Sequence, residues 1–329
     1  MFRRWFVLVL TASVLFSAAD FASARRSKGL KDHLAMGNPD DAANDADKSP
    51  DKFLMDKDLF ALSYNSKNGT PNWASWRLVQ DDFGEIERKD KFKRDDELKV
   101  AGLTQVLPSE YEGTGFDSGH MCPNGDRDLD DESAAKTFVM SNMVPQAAAL
   151  NQQSWKNLEI HCQNLARKGK ELYIICGPHG RGGQGEVIKR KKIDGKFKII
   201  EKRIVFETGI GKDERITVPA HCWKVILILE GGEGDPLERV TEMSEVIAVI
   251  MANDTTPKKW RDHRVTIAEV EKLTRFKFLS NVKEEVRKAL LKRGPEDTGR
   301  LESAPRWFAR GAFDVFLFHA ASRVNGRAL

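Results

Sequence analysis

Cysteine is scarce in this chain: four residues in 329, too few for a disulfide scaffold and enough for one or two bridges. Net charge is scarce too. Fifty-three Lys and Arg against 49 Asp and Glu leave +4, too small a bias to imply nucleic acid or acidic lipid by itself. Past the N-terminus no apolar run approaches the roughly 20 residues that a spanning helix needs. Val225–Leu229 and Val246–Met251 suit buried strands instead. No internal repeat is present. With 40% hydrophobic and 31% charged residues the balance is that of an ordinary globular protein, which excludes a fully disordered chain and a multi-span membrane protein.

The one apolar run that is present lies at the start. Arg3 and Arg4 precede Trp5–Ala19, and Ala22-Ser23-Ala24 follows. A basic start, a short apolar stretch and an A-x-A site make a signal peptide cleaved after Ala24; the run is short for an uncleaved anchor. Such a leader directs the chain to the periplasm or outside the cell, and no transmembrane segment is expected in the mature chain. Export implies an oxidising compartment in which Cys122, Cys162, Cys176 and Cys222 can pair, with three full pairings open.

Residues 25–57 are polar, rich in Asp, Asn and Lys, and poor in large apolar side chains; they are expected to form a flexible lead-in. From Trp73 the pattern changes. Ala74, Trp76 and Leu78 alternate with Ser75 and Arg77, as in a half-buried strand. Glu171–Cys176, His221–Leu229 and Val246–Met251 are further strands. Leu150, Trp155, Leu158, Cys162 and Leu165 recur at three-to-five spacing, which predicts an amphipathic helix over 151–167. Thr266 and Glu269 form a capping box for another helix, and Val282–Lys292 reads as one more. Strands interleaved with helices predict one α/β or α+β domain over 58–293. A C-terminal extension, 294–329, carries the aromatic cluster Trp307, Phe308, Phe313, Phe316 and Phe318, a packing element or an interaction patch.

Two stretches carry chemistry. The first is Phe116-Asp117-Ser118-Gly119-His120-Met121-Cys122-Pro123-Asn124. Its histidine follows a glycine that permits a sharp turn or a close approach, and neutral imidazole can take a proton from water. The second is Ser141-Asn142-Met143-Val144-Pro145-Gln146, followed by Leu150-Asn151-Gln152-Gln153-Ser154-Trp155 and Leu158-Glu159. On a plain α-helix Asn151 and Glu159 would lie about 12 Å apart along the axis and about 80° apart around it. Mg²⁺ takes ligands at about 2.1 Å and keeps several waters. One of the two side chains can therefore bind such an ion while the other holds its water shell.

Together these stretches closely resemble the DNA/RNA non-specific endonuclease family, the Serratia nuclease and endonuclease G type with a ββα-metal active site. The family pattern is D-R-G-H, then S-N-x-x-P-Q, then L-N-Q-x-x-W-x-x-L-E, and this chain has DSGH, SNMVPQ and LNQQSWKNLE in that order. FKRDDEL, YIICGP, VPAHCWKVIL and NDTTP…RVTIAEVEKLTRF extend the likeness over roughly 70–292. It implies a mixed α/β fold with a central, largely antiparallel sheet flanked by helices. The implied reaction is Mg²⁺-dependent (or Mn²⁺-dependent) hydrolysis of DNA and RNA, leaving 5′-phosphate and 3′-hydroxyl ends. By position, His120 matches the general base, Asn151 the direct metal ligand and Glu159 the carboxylate that fixes metal-bound water. Asn142 matches an asparagine that holds the site together, and Asp117 a supporting acid. A homodimer is compatible with the resemblance.

One departure stands out. Ser118 occupies the family's arginine position, and serine offers one weak donor where arginine grips phosphate with two. Arg127 is the nearest candidate to replace that cation. A basic stretch, Arg181–Arg203, with nine Lys and Arg against three acids, reads either as a solvated hairpin or as a lining for the substrate groove. His179, His221 and His263 lack partners at zinc spacing, and His120-x-Cys122 lacks a second pair. A nucleophilic Cys122 is the weaker explanation beside the metal motif downstream. Two other functions remain: a catalytically weak or silent nucleic-acid-binding protein, for which Ser118 argues, and a partner-binding protein that uses the aromatic tail.

Overall fold

Three of the apolar runs become neighbouring strands. A computed structural model describes residues 29–295 with the exception of 257; the leader and the aromatic extension lie outside the described residues. Strands β1 (Phe53–Asp56), β2 (Ala61–Asn65) and β3 (Thr70–Leu78) are followed by β4 (Asp117–His120), β5 (Met143–Gln146) and β6 (Lys170–His179). Then come β7 (Gly183–Ile193), β8 (Lys196–Glu207), β9 (Gly209–Ile210), β10 (Ile216–Thr217), β11 (His221–Glu230), β12 (Glu245–Ala252) and β13 (Arg264–Val265). Seven of them form one sheet in the order β1-β2-β3-β6-β11-β12-β13. Every pairing in it is antiparallel. This is the mixed α/β architecture with a central antiparallel sheet that the sequence implied.

Side chains alternate across the sheet, and both faces are covered. On β11, Ile226 and Ile228 join one buried cluster, while Val225, Leu227 and Leu229 join another. The first face is covered by helix α1 (Lys156–Arg167) through Leu158, Cys162 and Ala166. The second is covered by α2 (Ile267–Thr274) and α3 (Glu284–Leu291) through Ile267, Val270 and Leu290. β3 is therefore not half-buried as its alternation suggested. Trp73 fills one cluster and Ala74, Trp76 and Leu78 the other, because the strand lies inside the sheet with a layer on each side.

The segment expected to be a flexible lead-in differs from 29 onward. β1 pairs with β2 over Phe53–Asp56, and Met36, Ala42, Phe53 and Met55 are buried. Polar groups complete the attachment. Asp40 accepts hydrogen bonds from Trp73 Nε1 (2.8 Å) and Ser63 Oγ (3.2 Å). His33 Nε2 donates to the Asp58 carbonyl at 2.9 Å, while its Nδ1 accepts from Arg77 N–H at 3.3 Å. A few well-spaced apolar residues suffice because buried hydrogen bonds hold the rest.

The helix expected over 151–167 has two parts: a π-helical turn, Leu150–Trp155, and then α1. The Thr266–Glu269 box is made as expected, with Thr266 Oγ1 accepting from Glu269 N–H at 3.1 Å and Glu269 Oε2 from Thr266 N–H at 2.7 Å. Cys122, Cys162, Cys176 and Cys222 are all buried and unpaired. Each contributes to the apolar packing on the α1 side of the sheet.

Candidate active site

The DSGH residues form β4, which pairs antiparallel with β5: Asp117 faces Gln146 and His120 faces Met143. From β5 the chain runs directly into the π turn and α1, giving a β-β-α unit. Gly119 is required by close approach. A Cβ there would sit 2.0 Å from Gln146 Oε1. Gln146 itself is buried and donates through Nε2 to Cys222 Sγ at 3.3 Å, so it has no room to yield.

Asn142 acts as a clamp behind the histidine. Its Nδ2 donates to the carbonyls of Cys122 (2.9 Å) and Thr137 (3.0 Å), and its Oδ1 accepts from Cys122 N–H at 3.0 Å. With both ends of its amide engaged internally, Asn142 fixes the backbone leaving His120. The His120 ring is held by Phe138, edge-on at 4.9 Å between centroids, and by Phe92 at 5.5 Å. Its Nε2 is buried with no hydrogen-bond partner among the described residues. Burial, reinforced by the positive charge of Arg88, lowers its pKa to about 3, so the ring is neutral near pH 7.

On the helix side, Asp117 Oδ2 accepts from Asn151 Nδ2 (2.9 Å) and Gln152 Nε2 (2.8 Å). The strand thereby orients the amide, and Oδ1 is left as the Asn151 atom that could ligate a cation. Further along, Glu159 Oε1 is buried without a hydrogen-bond partner among the described residues and lies 3.6 Å from Lys224 Nζ. Burial raises the Glu159 pKa to about 7 against the pull of Lys224, with the Asp126 carboxylate adding to the rise. Lys224 is itself interior, its ammonium 4.1 Å from the Trp155 ring centre and 5.7 Å from that of Trp76.

Amide and carboxylate oxygens are the hard donors that a small divalent cation prefers. No group of three or more His, Cys, Asp or Glu among the described residues could hold a metal. An ion bound at Asn151 and Glu159 would thus have few protein ligands and keep much of its water, which suits Mg²⁺ better than zinc.

Arg127 does not replace the missing arginine. Its side chain is 1% exposed. Nε donates to the Leu59 carbonyl, Nη1 to the Asp126 carbonyl and Nη2 to the Arg77 carbonyl, each at 2.7 Å, and Nη1 lies 3.2 Å from Asp82 Oδ2. Seven residues of chain after His120 turn inward through a short 3₁₀ turn, Asn124–Asp126, and the guanidinium ends in the interior. The cation beside the site is instead Arg88. It stacks on Phe138, with 5.5 Å from Cζ to the ring centre, and its charge acts on both His120 and Glu159. Its Nε donates to Asp90 Oδ1 at 2.6 Å, and its side chain is more than half exposed. Arg88 escaped the sequence reading because it lies in a mixed charge run, 85–97, that looks like a solvated surface. Ser118, half-buried on β4 between Asp117 and Gly119, carries no charge to compete with it.

Two further supports were not singled out from the sequence. Ser141 donates to the buried Asp95, which also pairs with Lys57 at 2.9 Å. Asn253 accepts from Ala147 N–H at 2.7 Å and donates to the carbonyls of Pro145 (3.0 Å) and Pro219 (2.9 Å). It thus ties the entry of the site helix to the strand before it.

Residues 39–285 match the profile of the family described as DNA/RNA non-specific endonuclease. The chain belongs to that family. A protein named "Nuclease" from Nostoc sp. is 39% identical over 257 residues, covering 78% of this chain and 83% of its own length. The mitochondrial endonuclease G of Caenorhabditis elegans is 32% identical over 173 residues, 51% of each chain. The chain thus spans about half the length of that mitochondrial relative. A crystal structure of an EndoG/EndoGI complex shares the fold, with a TM-score of 0.57 at 20% identity, covering 78% of this chain and 93% of that one. This protein is therefore an endonuclease acting on nucleic acids, from a metal-dependent family. No helix among the described residues of the endonuclease is long and apolar enough to cross a membrane.

Proposed function

We propose that this endonuclease is exported and uses Mg²⁺, or Mn²⁺ in its place, to hydrolyse phosphodiester bonds of both DNA and RNA, leaving 5′-phosphate and 3′-hydroxyl ends. The observation that carries the reading is a pair of buried atoms that make no hydrogen bond among the described residues, His120 Nε2 and Glu159 Oε1 (the latter with only the Lys224 ammonium opposite it), on a β-β-α unit whose Asn151 amide is oriented by Asp117. Burying polar atoms without hydrogen bonds is costly, and a water and a hydrated cation would satisfy both.

His120 takes the proton of a water aimed in line at phosphorus. Its depressed basicity keeps it unprotonated beforehand, and an anionic phosphate nearby would favour the imidazolium once formed. Asn151 would hold the ion through Oδ1, and Glu159 would hold the waters around it. The ion, when bound, offsets charge on the phosphate and stabilises the departing 3′ oxygen. Arg88 supports the same phosphate with the cation that Ser118 does not supply. Export rests on the leader 1–24, whose short apolar stretch and A-x-A site distinguish it from an Arg-rich amphipathic transit peptide.

The test is cleavage of supercoiled plasmid and of single-stranded RNA by residues 25–329, with Mg²⁺, with chelator, and beside His120→Ala. Cutting of both substrates that needs the metal and His120 is expected. Cutting that survives chelation, or survives the substitution at full rate, would overturn the mechanism. An unprocessed N-terminus on protein recovered from outside the cytoplasm would overturn cleavage after Ala24.

A further inference from the structure

β7 and β8 form a two-stranded hairpin outside the main sheet, closed by Asp194 and Gly195, both at positive φ (54° and 76°), as a two-residue hairpin turn requires. At about 3.3 Å per residue it is roughly 35 Å long. A bare hairpin is marginal in water, and among the described residues this one is anchored at its root. Gly185 lies against Phe116, Val205 is buried, and Glu186 N–H donates to the Gly115 carbonyl at 2.8 Å. Gly115 and Phe116 lead straight into Asp117, so the root of the arm packs against the chain entering the strand that carries His120.

Cross-strand register assigns its two faces. The pairs Gln184–Phe206, Glu186–Ile204, Ile188–Lys202, Arg190–Ile199 and Lys192–Phe197 share one face. Phe197 is 73% exposed and Phe206 66%, and Ile199 and Ile204 are exposed between them. A row of large apolar side chains in water signals a binding surface, and here cations run alongside it. Residues 183–207 hold eight Lys and Arg against four acids, a net +4 that equals the formal charge of the whole chain. On the opposite face Lys191 stands directly across from Lys198, whose ammonium lies 4.0 Å from Asp194.

We infer that this arm binds single-stranded nucleic acid running out of the active site, the bases lying on the Phe206–Phe197 row and the phosphates on Arg190, Lys192 and their neighbours. Aromatic and aliphatic faces can take unpaired bases whatever their sequence, whereas in a duplex those faces are stacked away. A second copy of the chain is the poorer occupant, since self-association would bring the same cations together. Contact of the arm's root with the chain entering β4 favours substrate over a lipid surface. The inference rests on the proposed nuclease reading, and binding in chelator tests it apart from catalysis.

The experiment uses the full chain in chelator, a labelled single strand of about thirty deoxythymidines, and a duplex of equal length. Phe197→Ser/Ile199→Ser should weaken single-strand binding about tenfold, from the loss of one to two base contacts, and duplex binding less than twofold. Arg190→Gln/Lys192→Gln should weaken both and flatten the salt dependence. Cleavage of a single strand of about six nucleotides, too short to follow the arm, should be unchanged in both variants. Equal single-strand affinity in wild type and both variants would overturn the inference. So would loss of binding to anionic vesicles, or a fall from dimer to monomer, as the only effect of the serine pair. A wild type that cuts neither length yet shows the expected binding differences would sink the nuclease mechanism and leave the arm standing.

Discussion

Lys224 and Glu159 face each other in the interior, ammonium to carboxylate at 3.6 Å, with the Lys224 cation seated on the ring of Trp155. Glu159 comes from the site helix and Lys224 from the middle of β11. The pair therefore couples the proposed metal site to the rigid centre of the sheet. Burial opposes the charge on Lys224, and Glu159, with nearby thiols and Asp126, holds its pKa above the ordinary lysine value.

Activity should therefore fall on the acid side of about pH 7, where Glu159 takes up a proton and loses the charge its proposed hold on metal-bound water requires. Lys224→Met should move that acid limb upward, because the cation opposing protonation is gone. The measurement is the pH dependence of kcat/KM for both proteins. An acid limb at the same pH in the variant would show that Lys224 does not govern Glu159.

Arg88→Ala should lower kcat/KM about a hundredfold, the usual scale for losing a charged group beside a transition-state oxyanion. Thermal stability should hardly change, since the side chain is more than half exposed. Arg88→Lys should recover part of the rate, lacking the two-pronged grip. Steady-state kinetics beside melting curves separate these effects, and equal losses in Ala and Lys variants would argue against a simple charge role.

Arg127→Ala is expected to behave in the opposite manner. Removing a buried guanidinium with three carbonyl partners and Asp82 beside it should cost about 3–5 kcal/mol of stability. The fraction that remains folded should cut nucleic acid at nearly the normal rate. Urea titration and activity per folded molecule give the answer. A stable but inactive variant would return Arg127 to the substrate.

His33 predicts acid sensitivity. Burial, with the Arg127 charge, lowers its folded pKa to about 3, while the unfolded imidazole titrates near 6.5. Between those values the unfolded chain binds the extra proton, so stability is complete above about pH 6.5 and is lost as pH falls. One such group contributes at most about 1.4 kcal/mol per pH unit. His120, lowered for the same reason, adds to it. Urea midpoints between pH 7.5 and 5 should drop less steeply in His33→Gln than in wild type.

Much of this was legible in the chain. Unbroken apolar runs such as Val225–Leu229 point to central strands buried on both faces, and the motif residues lie close enough along the chain for local structure to gather them. Other features depend on distant partners. Residues 29–57 look like a linker because their attachment is polar, through His33 to Asp58 and Arg77 and through Asp40 to Trp73. Arg127 looked available because spacing from His120 says nothing about which way the chain turns. Arg88 is separated from His120 by over thirty residues, and only the folded contact with Phe138 brings it near.

The π turn has a consequence for anyone transplanting this motif. Leu150 and Trp155 are five apart and both buried, where the helix closes five-residue hydrogen-bonded steps rather than four. Deleting one residue between Asn151 and Glu159 would let an ordinary helix form, with a better-looking hydrophobic pattern and every motif residue still present. Winding the same residues as a plain α-helix without that deletion would instead turn Glu159 around the axis relative to Asn151, because the wide turn absorbs one residue, and so away from Lys224. A scaffold built on an ideal helix would copy all the letters of the site and misaim its carboxylate.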